Sequence, residues 1–155
     1  MTNAQFARNL VKGKIAETIF AEMFREAGKF TVLEFGYEKI VPELIHGGYS
    51  DKSSIVETLR RAPDFAVIDN ERRHVKLIEV KYRAVMNNLE ILNVARRMHE
   101  TWNPSYLFVA TLNGFYFDSI ENVMSNNGRM AQLPEVDVPL DKQANYLQIL
   151  SDFER

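Results

Sequence analysis

The strongest constraint on how this chain can fold is the fifteen-residue step from Asp64 to Glu79. Two apolar runs rich in β-branched residues, 65–68 and 75–82, flank the polar segment Asp69-Asn70-Glu71-Arg72-Arg73-His74, a pattern that predicts a β-hairpin. If Ile68 pairs with Val75, the loop keeps four residues and Asp64 stands directly opposite Glu79. Side chains alternate along a strand, so Glu79 and Lys81 share one face while Val80 and Tyr82 share the other. Directly opposed cross-strand residues have Cβ atoms about 5 Å apart, and like charges there are destabilising. An aspartate facing a glutamate in an otherwise apolar sheet therefore needs compensation.

A divalent cation supplies it. Mg²⁺ or Mn²⁺ prefers carboxylate, carbonyl and water oxygens, and Lys81 adds a positive charge one side-chain repeat along the same face. These parts suit metal-assisted hydrolysis of a phosphodiester, with Asp64 and Glu79 as ligands and Lys81 orienting or deprotonating the attacking water. The main-chain carbonyl of Val80 is a candidate further ligand.

The preceding segment contributes a third carboxylate. Phe6, Leu10, Gly13, Glu17, Phe20, Phe24 and Ala27 recur at three- and four-residue steps, which predicts a helix over residues 4–27 that Gly28 terminates. Glu17 interrupts an apolar stripe, so it requires a partner, solvent or a ligand role. Gly13, one turn earlier, is expected to let the helix approach a neighbour closely.

Residues 30–40 read as a strand or strand pair, and Pro42 with Gly47-Gly48 marks a loop before a short helix near residues 53–61. Asn87 with Glu90 resembles a capping box opening a helix that carries Ile91, Val94, Ala95, Met98 and Trp102 on one side. Strands at 106–110 and 115–117 are joined at Asn113-Gly114. The remainder predicts a short helix, a crossing at 133–140, and a last helix from near Asp141 that buries Tyr146, Leu147, Leu150 and Phe153. The expectation is an α/β layered fold with one central mixed sheet in a single domain spanning residues 1–155.

Composition narrows the function classes. With no cysteine, disulfides, thiolate catalysis and cysteine-ligated zinc are excluded. His46, His74 and His99 lack zinc-ligand spacing, and Gly47-Gly48 is followed by no Gly-Lys-Ser/Thr phosphate loop. No apolar run reaches the roughly 18 residues of a membrane span, and no signal-peptide pattern opens the chain, so a cytoplasmic protein is expected. A net charge of −2 argues mildly against a protein that coats nucleic acid. Local basic pairs matter more. Arg60 and Arg61 precede the Asp64 strand and are the preferred DNA-phosphate contacts, with Tyr82 and Arg83 beside the lysine as further candidates.

Pro63-Asp64, a strand-length gap and Glu79-Val80-Lys81 together resemble the signature of the PD-(D/E)XK nuclease superfamily. Gly13-Lys14-Ile15-Ala16-Glu17 is similar to the first-helix glutamate motif of members such as Holliday junction resolvases and restriction-type enzymes. The resemblance covers residues 8–112 and implies a restriction-endonuclease-like core in αβββαβ order, with residues 119–155 as C-terminal helical additions. It implies metal and catalytic roles for Glu17, Asp64, Glu79 and Lys81 and the carbonyl role for Val80. It also implies a Mg²⁺- or Mn²⁺-dependent endodeoxyribonuclease acting on DNA, with branched or structured DNA as the favoured substrate class. A homodimer is expected, because a domain this acidic needs two subunits to build a continuous basic surface. The competing expectation is a nuclease-like fold used as a catalytically silent binding or assembly module.

Overall fold

The computed structural model describes residues 1–36 and 54–154. Helix α1 (Asn3–Glu26) leads into strand β1 (Phe30–Glu34), and the short helix α2 (Ser54–Arg60) precedes β2 (Phe65–Asp69) and β3 (His74–Tyr82). Helix α3 (Asn88–Thr101) carries the chain to β4 (Tyr106–Thr111) and β5 (Gly114–Ser119), followed by α4 (Ile120–Ser125) and α5 (Leu140–Glu154). The strands form one sheet in the order β1-β2-β3-β4-β5. β3 and β4 run parallel, joined through α3, and the other pairs are antiparallel. The mixed sheet and the αβββαβ order expected of a restriction-endonuclease-like core are thus the observed ones, with C-terminal helices added. The part of the expected strand beyond residue 36 and the loop with Pro42, His46 and Gly47-Gly48 lie outside the described residues.

The two faces of the sheet are covered differently. On one, Phe20 and Phe24 of α1 pack with Phe65, Phe108 and Phe117, with ring centroids 4.4–6.2 Å apart. On the other, Ile91, Val94, Ala95 and Met98 of α3 cover Leu107 and Val109, joined by Ile120 and Val123 of α4. The α3 stripe is buried as its periodicity predicts, except that Trp102 caps the helix and donates its indole N–H to the Thr58 carbonyl at 2.8 Å. Asn87 caps α3 by accepting the Glu90 N–H at 3.1 Å.

Helix α1 departs from the expected stripe. Its lower half buries Ala16, Ile19, Phe20, Met23 and Phe24, whereas Phe6 and Leu10 are exposed, at 55% and 58%. The reason is length: 24 residues span about 36 Å, more than the strands beneath them. The N-terminal turns therefore project past the sheet, closed by a capping box between Thr2 and Gln5. Gly13 is a second departure. A Cβ built there meets nothing within 4 Å among the described residues, so none of these approaches it closely. A mid-helix glycine nevertheless costs about 1 kcal/mol relative to alanine.

Helix α5 buries Leu150 and part-buries Tyr146 and Leu147, but Phe153, expected in the core, is 59% exposed. It is held to α1 through polar contacts instead. Tyr146 donates its hydroxyl to Glu26 at 2.6 Å and Lys142 pairs with the same carboxylate at 3.4 Å.

Gly128 is where glycine is required: its φ is +89°, and an added Cβ would lie 1.9 Å from the Asn88 carbonyl oxygen. Gly128→Ala is expected to lower the unfolding free energy by about 3 kcal/mol, because backbone strain and a backbone clash add. Urea unfolding of the two proteins side by side measures this.

Candidate functional site

The site arises from a mismatch in strand length. The β2–β3 ladder pairs Ile68 with Val75, the predicted register, and its last rung is Phe65 with Ile78. β3 continues to Tyr82, paired from Ile78 onward with β4. Beyond Ile78 the edge of β3 that faces β2 therefore has no strand partner among the described residues. Asp64, one residue before β2, fills the first unpaired step, its Oδ2 accepting the Val80 N–H at 2.8 Å. Its own main chain is pinned from the other side. The Asp64 carbonyl accepts from Phe35 and the Pro63 carbonyl from Gly36, each at 2.9 Å. A residue's N–H and C=O leave an extended strand on the same side, so the Val80 carbonyl also faces this open edge.

Glu17 reaches the same place from α1. The burial of Ala16, Ile19 and Phe20 on either side of it fixes the helix's rotation, which sets Glu17 at the boundary of the core with its side chain 25% exposed. The three carboxyls run as a chain. Burial, then hydrogen bonding and repulsion from Glu79, push the Asp64 carboxyl up to about 8, although the Val80 N–H and Glu17 oppose this. Burial and the Asp64 charge push Glu17 up to about 7, against the pull of Lys14, 3.4 Å away. The Asp64 carboxyl interacts with Glu79 on one side and with Glu17 on the other. Lys81 Nζ lies 3.8 Å from Glu79.

Three carboxyls and one main-chain carbonyl are oxygen donors of the chemical type that a hard divalent cation prefers. Among the described residues, no three acidic or histidine side chains enclose a common point as they stand. The carboxyls meet pairwise, Glu17 with Asp64 and Asp64 with Glu79.

A groove of about 1050 Å³ runs over the chain of carboxyls, bounded by α1, the end of α2 and the C-terminal end of β3. Among the described residues, acidic and basic side chains line it in equal number. Of the expected phosphate contacts, Arg60 and Arg83 line the groove, with Arg60 3.4 Å from Glu57 and Arg83 bonded to Glu90 and to the Tyr82 carbonyl. Arg61 points elsewhere, 3.6 Å from Glu100 on α3. Tyr82 lines the groove, but its hydroxyl donates to Glu154 at the end of α5. Lys12 bridges these elements, 2.6 Å from Glu154 and over the Tyr82 ring at 5.4 Å. The C-terminal extension is thus fastened to the rim of the groove. Sequence reasoning missed Lys12 and Lys14 as lining residues. The available signal was their position on either side of Gly13, one turn before Glu17.

No protein-family model matches the chain, and no curated protein matches it significantly. Among solved structures, it is similar to Hjc, a Holliday junction resolvase from the archaeal hyperthermophile Archaeoglobus fulgidus. The identity is 12% and the TM-score 0.45, over 81% of this chain and 99% of that one. Among the described residues, no helix is long and apolar enough to cross a membrane.

The raised carboxyls have a signed consequence for the cation-free protein. Between the unfolded value near 4 and the folded value of about 8, the folded state holds the Asp64 proton that the unfolded state has lost. Stability must therefore fall as pH rises through that window. Asp64→Asn, which keeps an oxygen for the Val80 N–H, should flatten the fall and raise stability at pH 8 by ~2 kcal/mol in EDTA. Denaturant midpoints at pH 5 and pH 8 check it; equal pH dependence in both proteins refutes it.

Proposed function

We propose that this protein is a metal-dependent nuclease that hydrolyses phosphodiester bonds in DNA. The observation that carries the reading is the run of carboxyls Glu17, Asp64 and Glu79 beside Lys81, set at an open strand edge on the floor of a groove. A merely structural role explains this poorly, since repelling carboxyls buried together destabilise a fold unless something else uses them.

Asp64 and Glu79 would hold Mg²⁺ or Mn²⁺, with Glu17 and the Val80 carbonyl completing the donor set. Bound there, such a cation supplies Lewis-acid chemistry, lowering the pKa of a water and polarising a phosphoryl oxygen. The chain's own residues do the rest. Lys81, anchored by Glu79, places an ammonium where negative charge grows on the phosphate and can orient the attacking water. Arg60 and Arg83 bring guanidinium groups to the groove wall, where they can grip flanking phosphates in bidentate fashion. Tyr82 lines the groove with its hydroxyl committed to Glu154. Arg61 stands on the flank, toward α3. The balance of acid and base in the groove supports a homodimer, in which a second subunit lengthens the basic surface. Sedimentation at micromolar concentration tests that part of the reading.

Incubation with plasmid, linear duplex and branched DNA in Mg²⁺ or Mn²⁺ tests the activity. Asp64→Ala and Lys81→Ala are each expected to slow cleavage at least ~100-fold; undiminished cleavage by both variants overturns the assignment. The pairwise meeting of the carboxyls favours a catalytically silent module as the second reading. Absence of Mn²⁺ binding together with absence of DNA retention at low salt would establish that reading instead.

Metal binding should also expel protons from the carboxyls. Calorimetry in buffers of different ionisation enthalpy should show roughly one to two protons released per Mn²⁺ at pH 6.5 and well under one at pH 8.5.

A further inference from the structure

Resting on the proposed function, we infer that Lys12 and the Tyr82 hydroxyl form an anion subsite at the rim of the groove, held in the free protein by the carboxylate of Glu154 and taken over by a DNA phosphate when substrate binds. An anion already sits in it. Lys12 Nζ, from α1, lies 2.6 Å from Glu154 Oε1, and the Tyr82 hydroxyl, from β3, donates to the same oxygen. The ammonium also stands over the Tyr82 ring, 5.4 Å from its centre. Both Lys12 and Tyr82 line the groove that runs over Glu17, Asp64 and Glu79. The charge of Arg8, one helical turn before Lys12, acts on the Glu154 carboxylate as well. A cation and a hydroxyl converging on one carboxylate oxygen is a donor set that suits a phosphate oxygen equally.

Glu154 is a poorly placed occupant. It ends α5, where the helix dipole is negative, and that last turn carries Asp152 and Glu154 with no basic side chain. Before Glu17, by contrast, α1 carries Arg8, Lys12 and Lys14 and no acidic residue. The acidic end of one helix thus lies on the basic half of another, and a phosphodiester would bring the same negative oxygen without a helix dipole set against it. The final turn of α5 is also lightly held. Leu150 is its last buried residue and Phe153 is 59% exposed, so among the described residues the polar contacts of Glu154 are what fasten the turn. The ion pair itself stays open to water, with both side chains part-exposed, a setting in which such pairs contribute little net stability and exchange partners readily. Glu154 on this account is an internal competitor of the substrate, and its release adds one cation to the groove.

The test is a binding cycle at positions 12 and 154, with Lys81→Ala throughout so that binding is read without cleavage. Glu154→Gln removes the charge and keeps an acceptor for the Tyr82 hydroxyl. Affinity for a fluorescein-labelled DNA duplex in Mg²⁺ at low salt should rise about five-fold in Glu154→Gln, because Lys12 no longer has to leave a carboxylate. Lys12→Gln should lower it about ten-fold, through loss of a charge-assisted hydrogen bond to phosphate. With Lys12→Gln already present, Glu154→Gln should change affinity by less than about two-fold, since the two residues act as one unit. In the Lys81-containing protein, the gain from Glu154→Gln should appear as a lower KM with kcat little changed. Unchanged or lowered affinity in Glu154→Gln overturns the inference, because the contact would then serve the fold alone, and it leaves the nuclease reading intact. A full gain with Lys12 replaced also overturns it, because the carboxylate would then repel DNA without guarding a subsite. If neither the protein with Lys12 and Glu154 in place nor Glu154→Gln binds DNA, the proposed function fails and this inference with it.

Discussion

The hydrogen bond from the Val80 N–H to Asp64 Oδ2, at 2.8 Å, is the contact on which the candidate site depends. β3 outruns β2, and past the last rung every second residue, Val80 first, turns main-chain polar groups to an edge where they need partners. A side-chain carboxyl takes the place of the missing strand. That substitution holds Asp64 against Glu79 although both are acidic, and it leaves the Val80 carbonyl turned toward the same opening. The polar requirement of an unpaired strand edge and the donor requirement of a hard cation are met by the same atoms.

The consequence is a site built on rigid elements. Glu79, Val80 and Lys81 belong to the central strand of the sheet, and Glu17 to a helix whose rotation is locked by Phe20 among Phe24, Phe65 and Phe108. Asp64 is held by main-chain hydrogen bonds on one side and its carboxyl on the other. Such placement suits chemistry that depends on positioning. Burial also makes the cation-free state carry protons, since desolvated carboxyls cannot all be charged at once. The C-terminal helix adds a brace at the rim, where Glu154 engages both Lys12 and Tyr82.

Much of this was legible in the residues. The polar loop and the two β-branched runs sufficed for the register of Ile68 with Val75, and a single rung fixes the facing of every side chain on a hairpin. Helix α3 was equally readable, because Ile91, Val94, Ala95 and Met98 all lie against one layer of the sheet. Periodicity failed where it named a face with nothing opposite it. Phe6 and Leu10 share α1's stripe but lie past the end of the sheet, and Phe153 continues the stripe of α5 beyond the last element it covers. Gly13 shows the same limit: glycine signals room for a close approach, yet no described residue takes it.

The sequence by itself determined the local chemistry: which carboxyls and which lysine share a hairpin, on which faces, and with what spacing, since these follow from a two-residue repeat and turn composition. Only the tertiary structure decided which of them meet. How far β3 extends past β2, how α1 is rotated over the sheet, and where α5 ends are set by packing between elements distant in the chain. Those long-range contacts bring Glu17 to Asp64, turn Arg61 toward Glu100, and give Tyr82 to Glu154, for no spacing along a chain encodes what lies across from it.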